Sequence, residues 1–136
     1  MIWDVVDHFN EREAWGDPEK MNGLLILLID KIADILGCGV IIHCGYEGDG
    51  HTPSSQHYIG NAIDFHLKTD LPFKDQIDNV MLALDELQVS DRVGVGLYPD
   101  WNSPGFHLDV RGVKGRWGRI GEYVSFDKAY EHSKTI

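Results

Sequence analysis

The apolar positions of this chain follow two different spacings, and the changes from one to the other divide it into helices and strands. Three stretches place apolar residues three or four positions apart, which is typical of one face of an α-helix. The predicted helices cover residues 4–13, 18–36 and 73–87. The second has strong end signals, because Asp17 is an N-cap residue followed by proline and Gly37 suits the left-handed position after a helix.

Four shorter stretches are rich in β-branched residues or alternate apolar with polar positions, as strands do. The predicted strands cover residues 40–43, 61–67, 92–98 and 106–110. In the second of them Ala62, Asp64 and His66 share one face, and the apolar residues between them share the other. The third strand contains two glycines, which indicate a close neighbour or a bulge.

The order of these elements predicts the fold class. Helices lead the chain, strands dominate its second half, and the tail should add an edge element and a short helix from about Phe126. We expect an α+β fold, a single domain over residues 1–136 in which the N-terminal helices pack on a small, mainly antiparallel sheet.

Composition narrows the range of partners. The formal net charge is −10, which disfavours both nucleic acid and anionic lipid surfaces. The longest apolar run has six residues, so no membrane insertion is expected. The N-terminus lacks the basic and apolar regions of a signal peptide, which predicts synthesis in the cytoplasm. We expect a monomer in which Cys38 and Cys44 are reduced, because six extended residues separate them by roughly 20 Å.

Candidate chemistry centres on the stretch S-Q-H-Y-I-G-N-A-I-D at residues 55–64. His57 and Asp64 are residue types that bind zinc, and His107 in the last strand offers a third ligand. Three protein ligands with one open position are the usual set of a catalytic zinc ion, which makes a bound water acidic. The sequence therefore predicts a zinc site across the sheet, walled by the loops 45–56 and 99–105.

Less specific explanations exist for each of these residues. Asp64 interrupts an otherwise apolar strand, so it needs a metal ion or an arginine, either Arg92 or Arg111. A lone histidine on a strand is more often packed or exposed than a ligand. His66 could still support a ligand by a hydrogen bond, and His51 is either solvated or enters the site when its loop closes.

A family resemblance rests on several motifs in order. The motif S-x-H-x-x-G-x-A-x-D is followed by G-V-G-L-Y-P, then F-H-L-D-V-R-G and Trp117, and I-x-x-G-Y precedes them. Together they resemble the zinc D-Ala-D-Ala carboxypeptidases and related endolysins, most closely the compact branch that ends in H-x-D-x-R. The resemblance covers about residues 20–118. It implies zinc bound by His57, Asp64 and His107, a peptidoglycan stem peptide as substrate, and Ser55 as a substrate contact.

Two positions depart from that family pattern. Glu47 stands where the family commonly has an arginine, and Arg111 is our candidate to replace it in binding substrate or oxyanion. Pro104 stands where many members have the glutamate that acts as general base. Asp109 is the first candidate for that catalytic role and Asp100 the second. Asp109 is equally well explained by a salt bridge to Arg111 or by a hydrogen bond that orients His107.

The expected function is a zinc-dependent metallopeptidase that hydrolyses an amide bond in peptidoglycan stem peptides, as a carboxypeptidase or an endopeptidase. Without a signal peptide it would reach the cell wall as a phage or prophage lysin, or act in the cytoplasm on recycled wall fragments. The main alternative is a non-catalytic, zinc-containing domain that binds cell-wall peptide or forms part of a phage particle. A weaker alternative is zinc-dependent hydrolysis of an ester or a lactam.

Overall fold

Six strands form one sheet in the computed structural model, which describes residues 2–136. The strands are β1 Gly39–Cys44, β2 Ala62–Lys68, β3 Gly94–Tyr98, β4 Gly105–Asp109, β5 Gly115–Ile120 and β6 Glu122–Val124. The helices are α1 Gly23–Leu36, α2 Phe73–Glu86 and α3 Phe126–Ser133. Single turns of 3-10 helix occur at Ile2–Asp4, Pro18–Lys20, Gln56–Ile59 and Ser90–Arg92.

The spatial order of the strands is β1-β2-β4-β3-β5-β6. Every neighbouring pair is antiparallel except β3 and β5, which run parallel. The predicted α+β class, with helices on a mainly antiparallel sheet, is confirmed. Strands β2 and β4 lie side by side inside the sheet, and their register places Asp64 opposite His107.

The two faces of β2 differ as its alternation predicts. Ile63, Phe65 and Leu67 are buried in one hydrophobic core together with side chains of α1 and α2. Asp64 and His66 lie between these apolar residues and are only partly buried. The helices therefore cover one face of the sheet, and the polar residues are left on the other.

The helix predicted for residues 4–13 is wrong. Beyond the Ile2–Asp4 turn this segment consists of turns and bends. The Asp30 carboxylate in α1 accepts hydrogen bonds from the backbone N–H groups of Asp7 and His8. These N–H groups are therefore not used for helical hydrogen bonds. Trp3 and Phe9 pack against Trp15, whose ring centroid lies 5.3 Å from that of Trp3 and 5.8 Å from that of Phe9.

The helix predicted for residues 18–36 is interrupted near its start. Asp17 caps only the turn Pro18–Lys20, after which Met21 is extended and Asn22 caps α1. The Asn22 N–H donates to the Gly60 carbonyl at 2.9 Å, a contact from 38 positions along the chain. Gly60 has φ +72°, and a Cβ there would lie 1.9 Å from the Lys20 carbonyl oxygen. The close approach of the chain at Gly60 to the chain at Lys20 therefore requires glycine.

The remaining predictions agree with the structure to within one or two residues. Gly37 adopts the left-handed conformation after α1, and α3 begins at Phe126. The close neighbours predicted for the glycines of β3 are the Asp109 carboxylate at Gly94 and the Trp117 ring at Gly96. Both cysteines are free thiols. Among residues 2–136 no helix has the length and apolar character needed to cross a membrane.

Candidate metal centre

Three side chains from separate parts of the chain meet on the polar face of the sheet. His107 Nδ1 lies 3.1 Å from Asp64 Oδ1, and His57 Nε2 lies 3.3 Å from the same oxygen. The ligand atoms of all three residues lie within 4.8 Å of one another. The predicted set His57, Asp64 and His107 is therefore brought together in a geometry that can hold a metal ion.

The 3-10 turn Gln56–Ile59 fixes the position of His57. Ser55 caps this turn by accepting a hydrogen bond from the His57 N–H at 3.2 Å, and Gly60 ends it. His57 Nδ1 lies 2.7 Å from the Gly45 carbonyl oxygen. Because a carbonyl oxygen only accepts, Nδ1 carries the proton, and the Nε2 lone pair is free to bind a metal.

Asp109 fixes the ring of His107 in the same way. Its Oδ2 lies 2.7 Å from His107 Nε2, and its two oxygens accept hydrogen bonds from the Arg111 guanidinium at 2.7 and 2.8 Å. Burial alone would raise the pKa of Asp109, but the bonds from Arg111 and His107 outweigh it and hold that pKa below its usual range. Asp109 thus keeps a proton on His107 Nε2 and leaves Nδ1 free to bind a metal.

The Asp64 carboxylate is negatively charged, and one of its oxygens lies close to both histidines. Burial raises its pKa, but the close contacts with His107 and His57 outweigh burial, so the pKa lies below its usual range. Asp64 does not pair with Arg92 or Arg111, the two arginines considered as its partners. Arg111 pairs with Asp109, and Arg92 lines a groove beside α1. Asp64 is therefore an ionised oxygen donor, as a divalent cation requires.

The ligand atoms open into a cleft of about 660 Å³. The loop 45–56 forms one wall, as predicted. The loop 99–105 does not, since Trp101, Asn102 and Ser103 line a separate cavity beside Asp64. The rest of the lining is aromatic and basic and includes Tyr98, Arg111, Trp117, Arg119 and Tyr123.

The residues predicted to act on substrate occupy different positions relative to this cleft. Ser55 and Arg111 both line it. The Arg111 side chain is 30% exposed and lies against the Trp117 ring. Asp109 is fully buried, and its two oxygens contact His107 and Arg111. This is the arrangement expected if Asp109 orients His107 or forms a salt bridge to Arg111. Asp100 lies outside the cleft lining, where its carboxylate accepts a hydrogen bond from the Gly121 N–H at 2.6 Å.

His66 does not contact a candidate ligand and is packed against another histidine, which is the more common arrangement for a lone histidine on a strand. Its Nδ1 lies 2.5 Å from His43 Nε2, and the two rings stack with centroids 4.7 Å apart. The His43 ring also lies 5.8 Å from the Trp101 ring. Trp117 contacts a ligand instead, because its ring lies 4.8 Å from that of His107, and its Nε1 donates to Tyr98 Oη at 3.2 Å. Burial raises the pKa of Tyr98 to about 12, so the hydroxyl stays protonated.

Cys44 and His51 also border the candidate ligands. For His51 this is the second of the two predicted alternatives, entry into the site. The register of β1 against β2 shifts between Ile42 and Cys44, and this bulge brings Cys44 Sγ to 3.1 Å from Asp64 Oδ2. The His51 ring stacks on that of His57 with centroids 4.3 Å apart. A bulge and a folded loop leave no periodic signal in the sequence, so only the potential ligand types in C-G-Y-E-G-D-G-H could have pointed to them.

Comparisons of the chain with protein-family models, with curated proteins and with solved structures found no match in any of the three. The resemblance carried by the histidine motifs therefore stays a prediction.

Proposed function

We propose that the chain is a zinc-dependent metallopeptidase that hydrolyses an amide bond in peptidoglycan stem peptides, as a D-Ala-D-Ala carboxypeptidase or an endolysin-like endopeptidase. One observation carries this proposal. Two oriented histidine nitrogens and an ionised aspartate oxygen converge at an open cleft rather than in a closed pocket. Three such ligands with access to solvent are typical of catalytic rather than structural zinc sites.

The donor set fits zinc by its chemistry. The two imidazoles each have their second nitrogen held by a backbone carbonyl or a carboxylate, a common arrangement around zinc. When bound, zinc supplies an acidic water and polarises a carbonyl group. In this proposal His57, Asp64 and His107 hold the ion, and Asp109 is a positioning residue that keeps His107 in the binding tautomer.

The cleft also suits a peptide that carries a carboxylate. Arg111 and Arg119 place two guanidinium groups along one wall, and both lie against aromatic rings that limit their motion. Arginine binds carboxylates through paired hydrogen bonds. We assign substrate carboxylate or oxyanion binding to Arg111, with Arg119 and Ser55 as further polar groups of the cleft lining.

The test uses purified sacculi and synthetic stem peptides, with released amino acids and peptides identified by mass spectrometry. Zinc-loaded protein should release product, and both a chelator and the substitution His107→Ala should abolish release. His132→Ala, which changes a histidine of α3 away from the cleft, should behave as the unmodified protein. Product formed at an unchanged rate after zinc removal would exclude a metallopeptidase.

A second candidate function is a non-catalytic zinc domain that binds cell-wall peptide. The observation favouring it is that neither predicted proton acceptor, Asp109 or Asp100, lines the cleft. This alternative predicts zinc-dependent binding of stem peptide, measured by calorimetry, with no product from any substrate. Detection of product would exclude it.

A further inference from the structure

The two oxygens of Asp64 face different neighbours. Oδ1 lies 3.3 Å from His57 Nε2 and 3.1 Å from His107 Nδ1, whereas Oδ2 accepts from Cys44 Sγ at 3.1 Å. The predicted zinc site uses only the first oxygen. A carboxylate that divides its oxygens between two groups of donors can bridge two metal ions, and two-metal sites place their ions about 3.5–4 Å apart.

The group on the Oδ2 side contains further potential ligands. The ligand atoms of Cys44 and His51 lie within 4.8 Å of each other and of His57. His51 Nε2 is buried and has no hydrogen bond in the described part of the chain. It lies 3.3 Å from Glu47 Oε1, but without the geometry of a hydrogen bond. A buried nitrogen beside a carboxylate and a thiol is costly unless something binds it.

We propose that Cys44, Glu47 and His51 hold a second divalent cation beside the first, with the Asp64 carboxylate bridging the two. Thiolate, imidazole and carboxylate together favour zinc among the common divalent ions. The Cys44 thiol gives up its proton to solvent as the ion binds, because the thiolate is the ligand. His57 belongs to the first site alone, since its Nδ1 proton is held by the Gly45 carbonyl.

The backbone around these ligands is fixed by contacts that a solvated loop would not need. Tyr58 Oη donates to the His51 carbonyl at 2.5 Å and accepts from the His51 N–H at 2.9 Å. The Glu47 N–H donates to the His57 carbonyl at 3.2 Å, which ties the loop to the first site. The Asp64 carboxylate lies beside Cys44 and the Glu47 carboxylate lies beside His51, and these negative charges attract a cation.

Cobalt titration of the full chain tests this second site without relying on activity. Cobalt reports a bound thiolate by a charge-transfer band in the near ultraviolet. Calorimetry and metal analysis should give two equivalents of Co²⁺ per chain, with the thiolate band following the second site. Cys44→Ser should lose the band and one equivalent, and His51→Gln should lose the same equivalent. Cys38→Ser is the matched control and should keep both, because Cys38 is the other free thiol and lies outside the cluster.

The outcomes separate this proposal from the proposed function. His107→Ala should weaken the first ion and keep the thiolate band, whether or not the protein cleaves peptide. A total of one equivalent that already carries the full thiolate band would mean that Cys44 closes the first site, and would overturn the proposal. Absence of the band at every metal loading would overturn it as well. Circular dichroism of each metal-free variant checks that the fold is kept.

Discussion

The two faces of the β2–β4 strand pair are both largely buried, but different forces hold them. On one face Phe65 and Phe106 are fully buried and stack with ring centroids 5.3 Å apart inside the hydrophobic core. On the other face Asp109 is fully buried, His107 is 6% exposed, and the Asp64 side chain is 17% exposed. Apolar contacts stabilise the first face, whereas charges that must find partners occupy the second.

This difference separates folding from metal binding. The apolar face and its helices can form the domain without an ion, because each apolar side chain already has neighbours to pack against. On the polar face His57, Asp64 and His107 are the residues that could bind a cation. Substitutions on the apolar face should therefore lower stability equally with and without zinc. On the polar face the effect of a substitution should depend on zinc.

The largest effect is expected on the apolar face. Phe106→Ala should lower the free energy of unfolding by about 4 kcal/mol, because it leaves a cavity between Phe65 and Phe73. Urea denaturation with and without a chelator measures the loss. It should be the same in both conditions and smaller for Phe106→Leu. A loss that depends on zinc would contradict the separation of the two faces.

The next effect concerns Asp109. Asp109→Asn should lower the free energy of unfolding by about 3 kcal/mol, because it leaves the partly buried Arg111 without its counter-ion. It should also weaken zinc binding about 10–100-fold by releasing the orientation of His107. Urea denaturation and zinc calorimetry test both parts.

The control Asp100→Asn changes an exposed carboxylate and should cost about 1 kcal/mol or less without altering zinc affinity. Unchanged zinc affinity in Asp109→Asn would contradict the positioning role.

Metal removal is expected to have a somewhat smaller effect on stability. At free zinc one hundred times its dissociation constant, bound zinc should raise the free energy of unfolding by about 2.7 kcal/mol. Thermal unfolding with zinc and with chelator measures this difference. It should be much reduced in His107→Ala and retained in His132→Ala. An equal response to zinc in all three proteins would place the ion elsewhere.

The smallest effect is expected for His8 and Asp34, an exposed histidine–aspartate pair. Histidine–aspartate contacts also occur on the polar face. The hydrogen bond to Asp34 raises the pKa of His8 on the protein surface. A raised histidine pKa contributes stability below the unfolded value of about 6.5, and the contribution is lost as pH rises through the folded value. His8→Gln should remove this small pH-dependent part, measured as the difference in thermal unfolding from the unmodified protein between about pH 6 and pH 8. An identical pH dependence in both proteins would show that the pair contributes nothing.

The apolar face could be predicted from local alternation, and the meeting of His57, Asp64 and His107 from residue types that bind zinc. Alternation along β2 separates Asp64 from Ile63 and Phe65 whatever the rest of the chain does. The antiparallel pairing of β2 with β4 then places Asp64 opposite His107. His57 follows from the short turn that Ser55 and Gly60 delimit.

The remaining features could not be predicted because distant residues determine them. The segment 4–13 has helical spacing, but Asp30 in α1 holds its backbone N–H groups in another conformation. The start of α1 is set by a carbonyl at Gly60. The approach of Cys44 to Asp64 depends on a bulge, and that of His51 to His57 on the hydrogen bonds made by Tyr58. The full environment of the candidate metal centre is thus a tertiary property.

The most direct test is a crystal structure of the zinc-loaded protein with anomalous data collected at the zinc edge. We expect an anomalous peak bonded to His57 Nε2, Asp64 Oδ1 and His107 Nδ1 at about 2.0–2.2 Å. A zinc-loaded crystal with no peak bonded to these three atoms, or with Asp64 turned away from both histidines, would contradict it.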